Sequence, residues 1–185
     1  MAWDTEATRR RLLDAAMEHF AAGGYAGARV EAIARTAGIN KERIYSYFGD
    51  KAGLFGAVLT TEVDRLLDGI DIRGTGPDAL GELAADLYDR AAAHPQLARL
   101  LSWESLELDE PVSGASRAEG CAAMVDALDA ALPGRSRDEA AQLLVSTIAI
   151  ATADGCLPHL TALITGGASA RARRSAVIAQ ARALA

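Results

Sequence analysis

Apolar residues recur at three- and four-residue intervals along most of the chain, which is the period of an amphipathic helix. Leu13, Ala16 and Phe20 form the first such stripe, and the glycine pair that follows is a helix stop. Long β-branched runs are absent, so we predict an all-α fold. The predicted helices number about nine and lie near residues 5–22, 30–37, 41–47, 51–68, 77–93, 95–107, 116–132, 137–156 and 169–185.

The two short helices near residues 30–37 and 41–47 form a helix-turn-helix pattern. Gly38 tolerates the left-handed backbone angles of the tight turn, and Asn40 is a favourable N-cap for the second helix. Ile44 and Phe48 are four residues apart, so we predict that both face the core. The polar and aromatic residues that this orientation leaves exposed or partly exposed are Lys41, Glu42, Arg43, Tyr45, Ser46 and Tyr47.

Other helix starts have recognisable caps. Asp50 precedes the helix near residues 51–68, and capping-box spacing occurs at Ser116 with Glu119 and at Ser136 with Glu139. The helix near residues 137–156 contains the run LLVSTIAIATA, which is apolar nearly all round. We therefore expect that helix to be buried on more than one side.

Charge is distributed unevenly along the chain. The length of 185 residues fits one large domain or two small ones, and half of the residues are apolar. The net charge of the chain is −6. Residues 1–55 hold eight basic and seven acidic residues, a net of +1, so the remainder carries −7. An acidic body with a more basic N-terminal third suits a protein that meets a polyanion at one end.

Enzyme signatures are absent from the sequence. The three histidines, His19, His94 and His159, lack ligand-like spacing, and neither Cys121 nor Cys156 has a CxxC partner. No GxSxG, P-loop or dinucleotide fingerprint occurs, so we predict no enzyme activity, catalytic residue, metal site or cofactor. With two cysteines, no signal peptide and no apolar run of about 20 residues, we expect a cytoplasmic protein without a membrane span.

The exposed side chains of the second short helix suit a DNA major groove, whose base edges the first residues of such a helix reach. Lys41 or Arg43 can donate to guanine, and Glu42 can accept from the amino group of cytosine. Tyr45 and Tyr47 offer hydroxyls to phosphates and rings to thymine methyls. A further lysine, Lys51, begins the next predicted helix, where free backbone N–H groups also favour a phosphate.

Residues 12–55, about a quarter of the chain, resemble the tetracycline-repressor (TetR) family of bacterial transcription regulators. The resemblance is carried by "AA…F…GY", "IA..AGI" and "IYSYF.DK..LF". It implies a DNA-binding unit at 1–50, a connecting helix at 51–69 and an effector-binding and dimerisation domain at 70–185. It also assigns as DNA contacts Asn40, Lys41, Glu42, Arg43, Tyr45, Tyr47 and Lys51.

Two positions depart from the family pattern. The Thr or Ser that usually starts the first helix of the motif is replaced by Ala28–Arg29, which weakens the cap but offers Arg29 as a phosphate donor. Glu31 stands where the family often has a basic residue that faces the groove. These departures affect the expected DNA footprint rather than the class of protein, and they are the only support for the alternative, a helical ligand- or protein-binding module without DNA binding.

The resemblance implies a homodimeric repressor that a small-molecule effector releases from a pseudo-palindromic double-stranded DNA operator. The predicted dimer elements are the helices near residues 137–156 and 169–184, although the first of these can also be a central helix of the monomer. Small residues such as Ala149 and Gly155 permit close helix approach. The candidate effector-pocket residues are Tyr88, Leu100, Trp103, Glu104, Met124 and His159.

Overall fold

The computed structural model describes residues 5–185, and all regular secondary structure within that range is α-helical. The all-α prediction is therefore confirmed. The helices are α1 (Thr5–Gly27), α2 (Val30–Ala37), α3 (Lys41–Phe48), α4 (Lys51–Leu67), α5 (Pro77–Ala93), α6 (Pro95–Glu107), α7 (Gly114–Ala131), α8 (Arg137–Cys156), α9 (Pro158–Thr165) and α10 (Ala170–Arg182).

The described residues divide into two compact units. The first contains residues 5–65 and Gln96–Gly114, and the second contains Leu66–Pro95 and Ala115–Ala185. From Gln96 onward α6 thus packs with the N-terminal helices, although the predicted division places residues 70–185 together. Helical periodicity identifies the buried face of α6 but not the helices that cover it.

The core of the first unit is aromatic and aliphatic. Phe20 of α1 and Phe55 of α4 are fully buried, with ring centroids 4.8 Å apart in an edge-on arrangement. Ile33 of α2 and Ile44 of α3 are also fully buried. Burying such side chains contributes about 1.5–3 kcal/mol each, and this burial helps to hold α2 against α1 and α3 against α2.

The core of the second unit centres on α5, against which α8 and α10 pack. Leu80, Leu83, Leu128 and Val177 are buried in one continuous cluster. Ion pairs reinforce the contact between α5 and α10, and one of them joins Arg174 to Asp89 at 2.8 Å. This pair is half-exposed, so apolar burial rather than charge holds the unit together.

Several helix boundaries differ from the prediction. Gly24 has non-helical angles (φ 73°, ψ 178°), as expected of a stop, but helical structure resumes and α1 continues to Gly27. The capping box predicted at Ser116 is wrong, because α7 begins at Gly114, directly after Ser113 with its φ of 54°. Pro158 starts the additional helix α9, as proline at a first helical position can.

The burial of α8 is one-sided within the chain, contrary to the expectation of burial on more than one side. Its buried residues, Ala140, Leu144, Thr147 and Ala151, follow helical spacing along one face. Val145 on another face is 62% exposed. Among residues 5–185 no single helix combines the length and the apolar character that crossing a bilayer requires. The pair α8 and α9 has the length and apolar composition of a membrane span only when the two helices are taken together, and they are bent by 92° at their junction.

Candidate nucleic-acid interface

The turn between α2 and α3 has the geometry that the sequence predicted. Gly38 adopts left-handed angles (φ 64°, ψ 36°), its N–H donates to the Arg35 carbonyl, and the next N–H donates to Ala34. These two bonds close the end of α2 as a Schellman motif. A guanidinium nitrogen of Arg11 on α1 also donates to the Ala37 carbonyl. The turn is thereby tied to α1, and the angle between the short helices is set by backbone contacts.

Local capping starts α3 as predicted. The side-chain oxygen of Asn40 accepts from the backbone N–H of Glu42 at 3.5 Å, a long bond. Ile44 is fully buried, which confirms its predicted core position, whereas Phe48 is only half-buried. The guanidinium of Arg9 lies 5.6 Å from the centre of the Phe48 ring and covers part of its face. One buried residue and one half-buried ring therefore hold α3.

The outer side of α3 carries the predicted DNA-contact residues. Lys41, Glu42, Arg43 and Tyr45 are exposed, and Tyr47 is half-buried beside the Phe48 ring. The first turn of α3 therefore presents two cations and a carboxylate next to a phenol that is 46% exposed. Such groups supply the donors and acceptors of base edges and phosphates.

Lys51 is held against the C-terminal end of α1. Its Nζ donates to the Ala26 carbonyl at 3.3 Å and lies 4.8 Å from the centre of the Tyr25 ring. Asp50 caps α4, as predicted, because its carboxylate accepts from the Gly53 N–H at 2.7 Å. Sequence reasoning did not single out Tyr25 as a partner of Lys51, although it belongs to the quoted "GY" motif. An ammonium has three donors, so those not bonded to Ala26 remain able to meet a phosphate.

The start of α2 is weakly capped, as predicted. Arg29 occupies the N-cap position in an extended conformation (φ −113°, ψ 128°) and makes no side-chain capping bond. In the first turn, the Glu31 carboxylate lies 3.5 Å from the Lys41 ammonium. The pKa of Glu31 is lowered, first by its own backbone N–H and then by Lys41. This acid and the lysine of α3, the recognition helix of the motif, thus form a pair that spans the turn.

The six predicted pocket residues are divided between the two units. In the first unit Leu100 is fully buried, Trp103 donates to the Ala21 carbonyl at 3.4 Å, and Glu104 accepts from the Val112 N–H at 2.9 Å. In the second unit Tyr88 is buried, Met124 is half-buried against the core, and His159 is exposed on α9.

A cavity of about 190 Å³ lies in the second unit, between the end of α5 and the end of α8. Tyr88 is the one predicted pocket residue among its lining residues, which also include Ala151 and Asp154. Burial raises the pKa of the Tyr88 phenol, and the nearby Asp154 carboxylate raises it further. Arg173 pairs with Asp154 at 2.9 Å. The wall is therefore mostly apolar, with a phenol and an ion-paired carboxylate as polar groups.

The closed turn, the capped recognition helix and the exposed donors together define a helix-turn-helix DNA-binding protein. Residues 12–58 match the family model of bacterial regulatory proteins of the tetR family. Residues 79–183 match the model of the tetracyclin repressor-like C-terminal domain. The chain belongs to the TetR family of transcriptional regulators, which confirms the resemblance seen in its N-terminal motif.

Two relatives and a solved structure agree with this assignment. The chain is 37% identical over 172 residues to the transcriptional repressor SCO4008 of Streptomyces coelicolor, covering 90% of this chain and 88% of that protein. It is 34% identical to the repressor NicS of Pseudomonas putida over 57% of this chain and 51% of NicS. The solved structure of SCO4942, a candidate transcriptional regulator of Streptomyces coelicolor, has a TM-score of 0.76 at 32% identity, covering 96% and 97% of the two chains.

Proposed function

We propose that the protein is a homodimeric, ligand-responsive repressor that binds a pseudo-palindromic DNA operator through α2 and α3. The observation that carries the proposal is the first turn of α3, which exposes Lys41, Glu42 and Arg43 after a Schellman turn and a side-chain cap. SCO4008 and NicS are both repressors, which favours repression over activation. Action on an operator places the protein in the cytoplasm.

Roles in DNA binding follow from how each donor is held. Arg43 is exposed on α3 and has the fork of donors that suits the O6 and N7 atoms of guanine. Lys51 is anchored on Ala26 and Tyr25, so its ammonium acts as a fixed point charge for a phosphate. Arg29, Asn40, Tyr45 and Tyr47 are proposed as additional backbone or base contacts.

The exposed face of α8 supports dimerisation. Val145 and Ile148 are 62% and 37% exposed, and on α10 the small residues Ala172 and Ala179 are also exposed. Apolar and small residues on neighbouring helices suit close helix packing against a second copy. A two-fold dimer would place two recognition helices about 34–36 Å apart, which is one turn of DNA.

The effector site is proposed for the second unit, at the cavity that Tyr88 and Asp154 line. Its volume of about 190 Å³ is below the common range for drug-sized ligands, about 300–1,000 Å³, so a small effector or a cavity that enlarges on binding is implied. The roles of Leu100, Trp103, Glu104, Met124 and His159 stay predictions.

Mobility shift with the DNA upstream of its own gene tests the DNA-binding part of the proposal. We expect a shift that resists competitor DNA and weakens as salt rises, because phosphate contacts release counterions. Lys51→Ala should weaken binding to all sequences and reduce the salt slope by about 0.9 per subunit. Arg43→Ala should cost about 1–3 kcal/mol and relax preference at one base pair.

The matched control is Arg73→Ala, which removes one positive charge from an exposed position between α4 and α5, outside the proposed DNA-binding and dimer helices. It should leave the affinity and the salt slope unchanged. Equal, sequence-independent losses from Lys51→Ala and Arg43→Ala would contradict the assignment of Arg43 to base reading. Light scattering tests the dimer, and a monomer at micromolar concentration would refute it.

A further inference from the structure

An acidic residue and a basic residue face each other across the DNA-binding motif. The carboxylate of Glu31, at the start of α2, lies 3.5 Å from the ammonium of Lys41, at the start of α3. Their side chains are 63% and 47% exposed, so both lie on the surface of the motif. The lowered pKa of Glu31 keeps the carboxylate charged at neutral pH. Arg29, two residues before Glu31, also acts on it electrostatically.

The pair matters for DNA because the sequence-independent part of the affinity depends on how many phosphates the protein neutralises. Each neutralised phosphate releases a counterion and makes the logarithm of the binding constant steeper in salt by about 0.9. A lysine that already carries a carboxylate partner adds no net charge at the phosphate backbone. The charge of Lys41 is therefore offset by its partner, whereas the charge of Lys51 is not, because the partners of Lys51 are a neutral carbonyl and a neutral ring.

We propose that Glu31 is a specificity-determining residue that withholds Lys41 from the phosphate backbone and so lowers sequence-independent DNA affinity. This inference rests on the proposed binding of DNA through α2 and α3. With the phosphate contribution of Lys41 removed, a larger share of the total affinity comes from base contacts. The acid that departs from the family pattern thereby has a role in discrimination between DNA sequences.

Substitution of Glu31 tests the pair without disturbing the fold. An exposed ion pair contributes little to stability, and glutamine retains an oxygen that accepts from the backbone N–H. Glu31→Gln is compared with the double variant Glu31→Gln/Lys41→Gln. Glu110→Gln is the matched control, because it removes the same charge from an exposed position of the first unit outside α1 to α4.

Fluorescence anisotropy with a labelled duplex of mixed sequence measures the affinity over a series of salt concentrations. For each contacting subunit, Glu31→Gln should steepen the salt slope by about 0.9 and tighten binding about eightfold at ~0.1 M salt. The double variant should return to the wild-type slope, because it again contributes no net charge. Glu110→Gln should keep the wild-type slope, and circular dichroism should show equal helix content in all variants.

Different failures are distinguishable. A wild-type protein that binds no duplex at low salt overturns the proposed function and this inference with it. If the wild type binds but Glu31→Gln has the wild-type slope, the inference alone is wrong. A double variant that is shallower than the wild type would show that Lys41 already neutralises a phosphate beside Glu31. A double variant that keeps the steep slope of Glu31→Gln would show that Lys41 is not the cation released.

Discussion

Gly24, near the end of α1, is a position at which a single methyl group should disturb the first unit. Its backbone angles, φ 73° and ψ 178°, lie in a region that is essentially reserved for glycine. A Cβ built there would lie 2.7 Å from Oε1 of Glu107 and 3.0 Å from the Trp103 ring, both on α6. Gly24→Ala therefore combines backbone strain with steric overlap.

The expected loss of stability follows from these two contributions. Backbone strain in such a region costs about 1–3 kcal/mol, and overpacking costs about 1–3 kcal/mol. Their sum, about 2–6 kcal/mol, corresponds to a decrease of roughly 4–24 °C in the melting temperature of a chain of this size. Glu107 accepts from the Ala26 N–H at 2.8 Å, so movement of its side chain would also loosen the segment that leads into α2.

Urea unfolding followed by circular dichroism and tryptophan fluorescence at one protein concentration measures the effect, because a dimer makes the midpoint depend on concentration. Gly27→Ala is the matched control, since its φ is not positive and an added Cβ would meet nothing within 4 Å. It should be neutral or stabilise by up to about 1 kcal/mol. A Gly24→Ala protein as stable as Gly27→Ala would refute the reasoning.

Two other changes test packing and capping. Leu128→Ala in the core of the second unit should cost about 2–5 kcal/mol in urea unfolding, whereas Leu106→Ala, at a side chain that is 76% exposed, should change stability by less than about 0.5 kcal/mol. Ser136→Ala should cost about 1 kcal/mol, because it removes the hydroxyl that accepts from the Glu139 N–H at 3.3 Å. The pKa of Glu139 is lowered from 4.5, first by the Ser136 N–H, so its stabilising effect is present above that value and is lost as pH falls through the lowered pKa. The difference in stability between the wild type and Glu139→Gln should therefore shrink in acid, and a constant difference would exclude this linkage.

Features that depend on neighbours in the sequence were predictable. Gly38, Asn40 and Ser136 act through backbone groups within four residues of themselves, so residue type and spacing identify them. Ile44 was predictable for the same reason, because helical periodicity decides which face of α3 is buried.

Features that depend on the tertiary arrangement were not predictable. The Glu31–Lys41 pair joins two helices, and the contact of Lys51 with Tyr25 joins residues on different helices. The cavity arises because Tyr88 of α5 meets Asp154 of α8, a pairing that periodicity on either helix does not specify. The six predicted effector-pocket residues could not be assigned to one pocket from the sequence, because periodicity does not specify which helices pack together.

The contacts of the basic residues change what the charge of the N-terminal third means. Eight basic residues lie in residues 1–55, but several of them already have partners inside the protein. Arg11 donates to Ala37 and Arg9 covers Phe48, so these arginines hold the turn and α3 in place. Lys41 has a carboxylate partner.

A count of cations in the sequence therefore overstates the number of phosphate contacts, and the salt slope of each subunit should reflect fewer than eight phosphate contacts. Weaker DNA binding after substitution of Arg9 or Arg11 would report a displaced recognition helix and is not by itself a sign of a lost phosphate contact.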